Sequence, residues 1–168
     1  MRCQTGSYRC DARREDRSRL RARPRQCVLL EKGALVMEVI EISHQSIPAL
    51  VPSACCVGYF DGLHKGHQLL LDKTLETAEK HGLASGVILF DPDPWTIFHP
   101  EQELDYLTPL PKRLEMIGQK GFDLIYILRF TKEFAALPVE AFHDVLVQMH
   151  VRYLICGTEF KYACRNAG

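Results

Sequence analysis

The stretch GYFDGLHKGH at residues 58–67 decides how this chain folds. It follows the apolar run ACCV at residues 54–57, which predicts a buried strand, and it precedes a helical pattern with Leu71, Leu75 and Ala78 on one face. A strand, a glycine-rich turn and a helix start therefore meet at two histidines. Backbone N–H groups at a helix N-terminus carry partial positive charge, so this arrangement predicts a phosphate-binding turn.

The two histidines of this turn have two other interpretations. His64 and His67 are three residues apart and share one helix face, so they could be an ordinary polar surface or half of a metal site. A metal pair needs a third ligand, usually with its own local spacing, and none is obvious. A polar surface does not require Gly58, Gly62 and Gly66, which let the backbone turn sharply and let a ligand come close. We therefore favour phosphate binding.

From residue 37 onward, predicted strands alternate with predicted helices, which indicates a parallel sheet in an α/β layer fold. The expected strands cover residues 37–43, 53–59, 85–90, 123–130 and 151–156. The expected helices cover residues 64–81, 111–120 and 138–149, and residues 91–109, with four prolines, are expected to form a loop. Ligands of such sheets bind at the carboxyl ends of the strands. The ends of the second, third and last strands should therefore form the site.

Composition limits the class of protein. The 168 residues are 46% hydrophobic and carry no formal net charge, which is typical of one globular domain and does not favour nucleic-acid binding. The seven cysteines are odd in number and lack C-x-x-C spacing, so a reduced, cytoplasmic setting is expected rather than a disulfide framework. No apolar run approaches the length of a membrane span, and the start lacks the apolar region of a secretory signal.

Three blocks of sequence, in order, resemble one known family. GYFDGLHKGHQ at residues 58–68 resembles the G-x-F-D-G-x-H-x-G-H-Q signature of bacterial FAD synthetases, the FMN adenylyltransferase modules usually fused to a riboflavin kinase. FDPDP at residues 90–94 is similar to the family's T-F-x-P-H-P block. CGTEFKY at residues 156–162 is similar to its V-G-x-D/N-F-x-F-G block. The resemblance implies a Rossmann-like parallel sheet of the H-x-G-H nucleotidyltransferase type.

The chain also departs from the family pattern. Asp93 stands where the family has a histidine, Glu159 replaces an Asp or Asn, and Ala163 replaces a glycine. The later I-S-S-T-x-x-R motif, whose serine and arginine help to hold the triphosphate, and the riboflavin kinase module do not occur before residue 168. We therefore expect a domain that is incomplete at its C-terminus. A separate polypeptide that carries the remainder is one alternative.

Residues 1–36 form a separate compositional block. They hold ten Lys or Arg and four Asp or Glu, and nine arginines lie in the first 25 positions. Such a segment is expected to be disordered. A basic arm or an organellar presequence is an alternative, although Asp11, Glu15 and Asp16 argue against a presequence. Because the family resemblance begins at Met37, we expect a native domain over residues 37–168 and a preceding segment that is not native.

The resemblance implies adenylyl transfer from ATP to FMN, with FAD and pyrophosphate as products and Mg²⁺ offsetting the phosphate charge. His64 and His67 are the implied catalytic residues. The implied ATP-binding residues are Gly58, Tyr59, Phe60, Asp61, Gly62, His64, Gly66 and His67. The implied FMN-binding residues are Pro92, Asp93, Pro94 and Glu159. No residue stands out as a metal ligand.

Several of these residues have a second interpretation. Asp61 could cap the following helix, Asp93 could belong to an ordinary Asp-Pro turn, and Glu159 could be a solvated residue at a strand end. Trp95, the only tryptophan, could cover an isoalloxazine ring, although such a residue more commonly anchors a loop in the core. The chain as a whole could be another H-x-G-H nucleotidyltransferase or an inactive nucleotide-binding fragment. The missing triphosphate-holding segment predicts that this chain makes FAD poorly or not at all.

Overall fold

The computed structural model describes residues 26–29, 36–101, 105–158 and 160, and within them it shows one six-stranded sheet with helices around it. The strands are β1 (Gln26–Leu29), β2 (Val36–Ile42), β3 (Ser53–Val57), β4 (Ala84–Asp91), β5 (Leu124–Arg129) and β6 (Val151–Ile155). The helices are α1 (Lys65–His81), α2 (Pro94–Phe98), α3 (Leu110–Gly118), α4 (Lys132–Ala135) and α5 (Val139–Gln148), and a short 3-10 turn covers Asp61–Leu63.

The order of strands across the sheet is β1-β2-β5-β4-β3-β6. β1 pairs antiparallel with β2, and all other neighbouring strands are parallel. The predicted α/β fold is therefore confirmed. β3 lies between β4 and β6, so the chain leaves β3 towards one neighbour through α1 and returns on the other side as β6. The carboxyl ends of these three strands meet at one edge, as the sequence predicted.

Both faces of the sheet are covered because its central strands are apolar on both sides. One cluster packs β2, β5, β4 and β3 against α4 and α5, and its members include Ile42, Val57, Leu128, Phe134 and Leu146. The other packs the opposite face against α1 and α3, and its members include Val39, Leu71, Leu89, Ile117 and Ile125. The sheet is thereby held rigid where its strands end.

The two cysteines of β3 are part of this core. Cys55 and Cys56 are fully buried, one in each cluster. Burial raises the pKa of each thiol to about 12, so both stay protonated at neutral pH. Both therefore act as small apolar side chains of the core. Cys156 lies just after β6 and is only half-buried.

Helix ends follow local sequence rules. α1 ends at Gly82, which has φ 61° and whose N–H bonds to the last carbonyls of the helix, as the sequence predicted. α3 begins after Pro109 and carries Pro111 in its first turn, where the missing N–H costs nothing. The predicted limits of the three long helices agree with the observed ones to within two residues.

Two expectations need correction. Residues 91–109 are not all loop, because α2 begins at Pro94; its N-cap Asp93 accepts a hydrogen bond from the Trp95 N–H at 2.6 Å. Disorder does not hold for residues 26–29, which form β1 and pair in register with β2. The remainder of residues 1–35 lies outside the described residues.

Within the described part of the chain, no helix combines the length and the apolar character that crossing a membrane requires.

Candidate active site

The turn after β3 has an unusual backbone. Phe60, Gly62 and Leu63 all lie in the left-handed region, with φ of 52°, 70° and 40°. Two of these three are not glycine, and such residues persist there only where their surroundings hold them. Both side chains are buried in the core under α1 and α3. Gly58 contributes close packing, because a Cβ there would lie 3.1 Å from the Phe60 ring.

Asp61 ties this turn to the segment before α3. Its carboxylate accepts hydrogen bonds from the Thr108 N–H and hydroxyl, both at 2.7 Å, and from the Leu107 N–H at 3.1 Å. The Gly62 N–H completes the link by donating to the Thr108 hydroxyl oxygen. Burial raises the pKa of Asp61, but these hydrogen bonds and the charge of Arg113 outweigh burial and hold it below its ordinary value. Asp61 therefore does not cap α1.

The first backbone N–H groups of α1 have no carbonyl acceptor within the helix. Its N-cap is His64, whose side chain makes no capping hydrogen bond. The Gln68 N–H is the first to bond back within the helix, to the His64 carbonyl. The amides of Lys65, Gly66 and His67 precede that bond at the positive end of a 17-residue helix. An anion is a suitable partner for such amides.

The two histidines stack on each other. The rings of His64 and His67 have centroids 3.7 Å apart, and Phe60 lies behind His67 at 5.1 Å. His64 is exposed and His67 is half-buried. Burial, and then the neighbouring His64, lower the pKa of His67, although Asp61 acts in the opposite direction. The stacked rings lie beside the helix start, because His64 is its N-cap.

The block after β4 reaches the same region. Asp93 is 8% exposed, and burial raises the pKa of its carboxyl although the Trp95 N–H and Arg113 act against this. Its bond to Trp95 supports the interpretation of Asp93 as a structural residue at the start of a short helix. Pro92 and Pro94 flank it. Trp95 is 47% exposed and stacks on His99 at 3.9 Å, so it does not anchor a loop in the core.

Arg113 of α3 joins the two blocks. It is 5% exposed, its Nη1 donates to the Tyr59 carbonyl at 2.8 Å, and its guanidinium lies over the rings of Tyr59 and Tyr106. Its charge influences the pKa of both Asp61 and Asp93. The turn after β3 and the block after β4 are therefore close enough to share one cation.

The third block begins where β6 ends beside β3. Gly157 accepts a hydrogen bond from the Phe160 N–H, which forms a turn at this edge of the sheet. Glu159 and residues 161–168 lie outside the described residues, so the predicted role of Glu159 stays a prediction. Among the residues that are described, no three His, Cys, Asp or Glu side chains are grouped to hold a metal ion.

A Rossmann-like parallel sheet with an H-x-G-H turn at the carboxyl end of a central strand defines the nucleotidyltransferase type of α/β fold. The family model described as FAD synthetase matches residues 47–168, and the chain belongs to this family. A solved structure titled as a macrolide-efflux protein from Streptococcus pneumoniae has the same fold, with a TM-score of 0.64 and 24% identity, over 74% of this chain and 42% of that one.

Curated relatives agree with the family. The chain is 35% identical over 114 residues to the bifunctional riboflavin kinase/FMN adenylyltransferase of Listeria monocytogenes, covering 67% of this chain and 36% of that protein. It is 33% identical over 118 residues to the protein of the same name from Bacillus subtilis, covering 69% and 37%. The protein of the same name from Escherichia coli K12 is 34% identical over 114 residues, covering 67% of this chain and 36% of that protein. The chain thus spans little more than a third of the length of these relatives.

Sequence reasoning overlooked Arg113, Thr108 and Tyr106, which surround the predicted turn. One sign of Arg113 is visible in the sequence: it lies in the apolar stripe of α3, three residues after Leu110 and four before Ile117. A cation in such a stripe must find a buried partner. Thr108 carries no comparable sign, because its bond to Asp61 crosses 47 residues of chain.

Proposed function

We propose that this chain binds the phosphates of ATP at residues 58–67, as the nucleotide-binding part of an enzyme that transfers the adenylyl group to FMN. The observation that carries the proposal is the start of α1, where the amides that precede its first internal hydrogen bond and the stacked pair His64 and His67 meet at the carboxyl end of β3. Family membership supports the reaction, and the relatives bear FMN adenylyltransferase in their names.

In this reaction a phosphate oxygen of FMN attacks the α-phosphorus of ATP. The bond from that phosphorus to the bridging oxygen of the β-phosphate breaks, and pyrophosphate leaves with the electron pair. The protein needs no covalent nucleophile for this, so positioning and charge stabilisation carry the catalysis. His64 and His67 would donate to the phosphate oxygens and to the charge that develops on the pyrophosphate.

Mg²⁺ would enter as part of the ATP substrate. The described residues offer no cage for a resident ion, and the Asp61 carboxylate already accepts three hydrogen bonds. Mg²⁺ commonly keeps several waters and binds through substrate phosphates. We therefore assign the described residues of the turn to the phosphates.

FMN would lie on the side of residues 92–94. The carboxylate of Asp93 is engaged as a helix cap and sits near Arg113, which limits its repulsion of a flavin phosphate. Asp93 differs from the family's histidine, so another acceptor for the adenylyl group is the second candidate. Incubation with riboflavin, FMN and other phosphate esters, followed by chromatography of the products, would distinguish the acceptors.

Replacing both histidines tests the nucleotide site. The double variant His64→Ala/His67→Ala should bind MgATP at least about tenfold more weakly in titration calorimetry, because the ring donors beside the helix start are lost. The melting temperature should change little, since His64 is exposed and His67 half-buried.

A matched control is His81→Ala, which removes a histidine from the other end of α1. It should leave ATP affinity unchanged. Equal ATP affinity in the wild type and the double variant would mean that the histidines are structural. ATP binding without FAD formation from FMN would support the nucleotide site and refute the transfer reaction for this chain.

A further inference from the structure

The setting of Arg113 is not explained by its bonds within the described part of the chain. The residue is only 5% exposed. Its Nη1 donates to the Tyr59 carbonyl, and its Nε is buried with no hydrogen-bond partner. None of the ion pairs among the described residues involves it. A buried cation without a directly bonded anion is costly, so its retention beside the turn after β3 points to a ligand.

The two nearest carboxylates do not neutralise Arg113 by direct bonding. Asp61 accepts its hydrogen bonds from Leu107 and Thr108, and Asp93 accepts one from the Trp95 N–H. Both nevertheless respond to the charge of Arg113 through space. The charge of the guanidinium therefore reaches two carboxylates that are each hydrogen-bonded to other groups.

Two aromatic rings keep the guanidinium in place. Its Cζ atom is 5.0 Å from the centroid of the Tyr59 ring and 5.8 Å from that of Tyr106. This contact suits the flat, delocalised cation of arginine better than the ammonium of lysine. The bond to the Tyr59 carbonyl also fixes the residue that immediately precedes the left-handed turn. Arg113 is thus held against the first residues of the proposed phosphate-binding turn.

We propose that the charge of Arg113 sets the affinity of the candidate active site for phosphate esters. Without it, the carboxylates of Asp61 and Asp93 would face an incoming phosphate with no buried cation to offset them. The cation would add its charge to the donors of the helix start and the histidine pair. The inference rests on the proposed function and adds a residue to that site.

The test measures how strongly the protein prefers a ligand with phosphate over the same ligand without it. Calorimetry compares ATP with adenosine, and flavin fluorescence compares FMN with riboflavin. Arg113→Met keeps the length of the side chain but removes the charge. It should reduce at least one of the two preferences by about tenfold or more. If the preference for ATP over adenosine falls, Arg113 acts on the nucleotide phosphates. If the preference for FMN over riboflavin falls, it acts on the flavin phosphate.

Arg113→Lys separates charge from shape. It keeps the charge but loses the planar contact with both rings, so the phosphate preference should stay within about threefold of the wild type even if the melting temperature falls. A purely structural role would weaken ligands with and without phosphate alike. Arg113→Lys losing the preference as fully as Arg113→Met would overturn the proposal.

Two further variants complete the experiment. Lys112→Met removes a charge from the neighbouring, exposed position of α3 and should leave both preferences unchanged. Asp93→Asn removes a negative charge but keeps an oxygen that can accept from the Trp95 N–H, so it should strengthen the preference for phosphate. Asp93→Asn also gives a readout if Arg113→Met does not fold.

The outcomes separate this inference from the proposed function. If the wild type binds neither ATP nor FMN, the proposed function fails and the inference fails with it. If the wild type prefers the phosphorylated ligands and Arg113→Met retains both preferences, only the role of Arg113 is refuted.

Discussion

Asp61 and Asp93 show how neighbouring carboxylates acquire opposite properties. Asp61 accepts three hydrogen bonds, which together with Arg113 outweigh its burial and lower its pKa. Asp93 is 8% exposed, and its burial outweighs the single bond from Trp95 and raises its pKa. An acid with a lowered pKa stabilises the fold when it is ionised, whereas one with a raised pKa stabilises it when it is protonated.

Asp61→Ala should lower the melting temperature by several degrees. The variant leaves the N–H groups of Leu107 and Thr108 and the Thr108 hydroxyl without their acceptor, a loss on the order of 1–3 kcal/mol that water at this partly exposed site reduces. These hydrogen bonds, together with the one from the Gly62 N–H to Thr108, form a strap between the turn after β3 and the segment before α3. Because the strap also fixes the turn at Gly62, ATP affinity should fall as well. Differential scanning calorimetry and titration calorimetry would measure the two effects. An unchanged melting temperature would show that the strap does not stabilise the fold.

Asp61→Asn should show the pH dependence of the strap. It keeps one carbonyl oxygen for the Thr108 N–H but loses the charge, so it should be less destabilising than Asp61→Ala. The folded pKa of Asp61 lies below the ordinary value of 3.8. The advantage of the wild type is therefore fully present above 3.8 and is lost as the pH falls through the lowered folded pKa. Urea unfolding of both proteins at a series of pH values would measure this advantage. An advantage that grows on acidification would contradict the prediction.

At the level of elements, the junction between β3 and β4 is packed without spare volume. A Cβ added at Gly86 would lie 2.6 Å from the Cys55 sulfur and 3.4 Å from the Tyr126 ring. Gly86 pairs with Cys55 in the parallel register that sets the two strand ends side by side. The glycine therefore permits the close approach that brings the turn after β3 near the block after β4.

Gly86→Ala should destabilise the fold by about 1–3 kcal/mol, because the added methyl group overpacks a buried site. The double variant Gly86→Ala/Cys55→Ala removes the sulfur that the methyl would meet, so it should recover part of that loss. Urea unfolding of both variants and of Cys55→Ala alone would give the coupling energy.

Gly157→Ala is the matched control for this pair. A Cβ at Gly157 would have nothing within 4 Å, so the substitution should change stability by less than about 0.5 kcal/mol. A double variant as unstable as the sum of its two single variants would contradict the proposed contact between Gly86 and Cys55.

At the scale of the molecule, the sheet places a four-residue antiparallel strand beyond its parallel part. β1 pairs with the outer edge of β2, from Gln26 opposite Val39 to Leu29 opposite Val36. Without β1, the backbone groups along that edge of β2 would face solvent. Residues 26–29 therefore add to the sheet, whereas the sequence alone indicated that residues 1–36 contribute nothing.

Two shortened chains distinguish these views. A chain that begins at Gln26 keeps β1, and it should melt at the same temperature as the full chain. A chain that begins at Met37 lacks β1, and it should melt at least about 4 °C lower, which corresponds to on the order of 1 kcal/mol. Circular dichroism would measure both. Equal melting temperatures for all three chains would restore the original interpretation of residues 1–36.

The sequence by itself determined the α/β class, the limits of the long helices to within two residues, and the meeting of three blocks at one edge of the sheet. These features depend on local periodicity, on glycine and proline, and on the rule that parallel strands end together, all of which can be recognised along the chain. The turn at residues 58–67 belongs to this group because its strand, glycines and helix are contiguous.

Only the tertiary structure decided which side chains complete the candidate site. From the sequence, Asp61 could cap the following helix or accept hydrogen bonds from another segment. It accepts them from Leu107 and Thr108 because α3 packs against the sheet beside the turn. Arg113 stands 54 residues from its acceptor Tyr59. Local propensity carries no information about such distant partners, because their contacts form only when the layers of the fold close on one another.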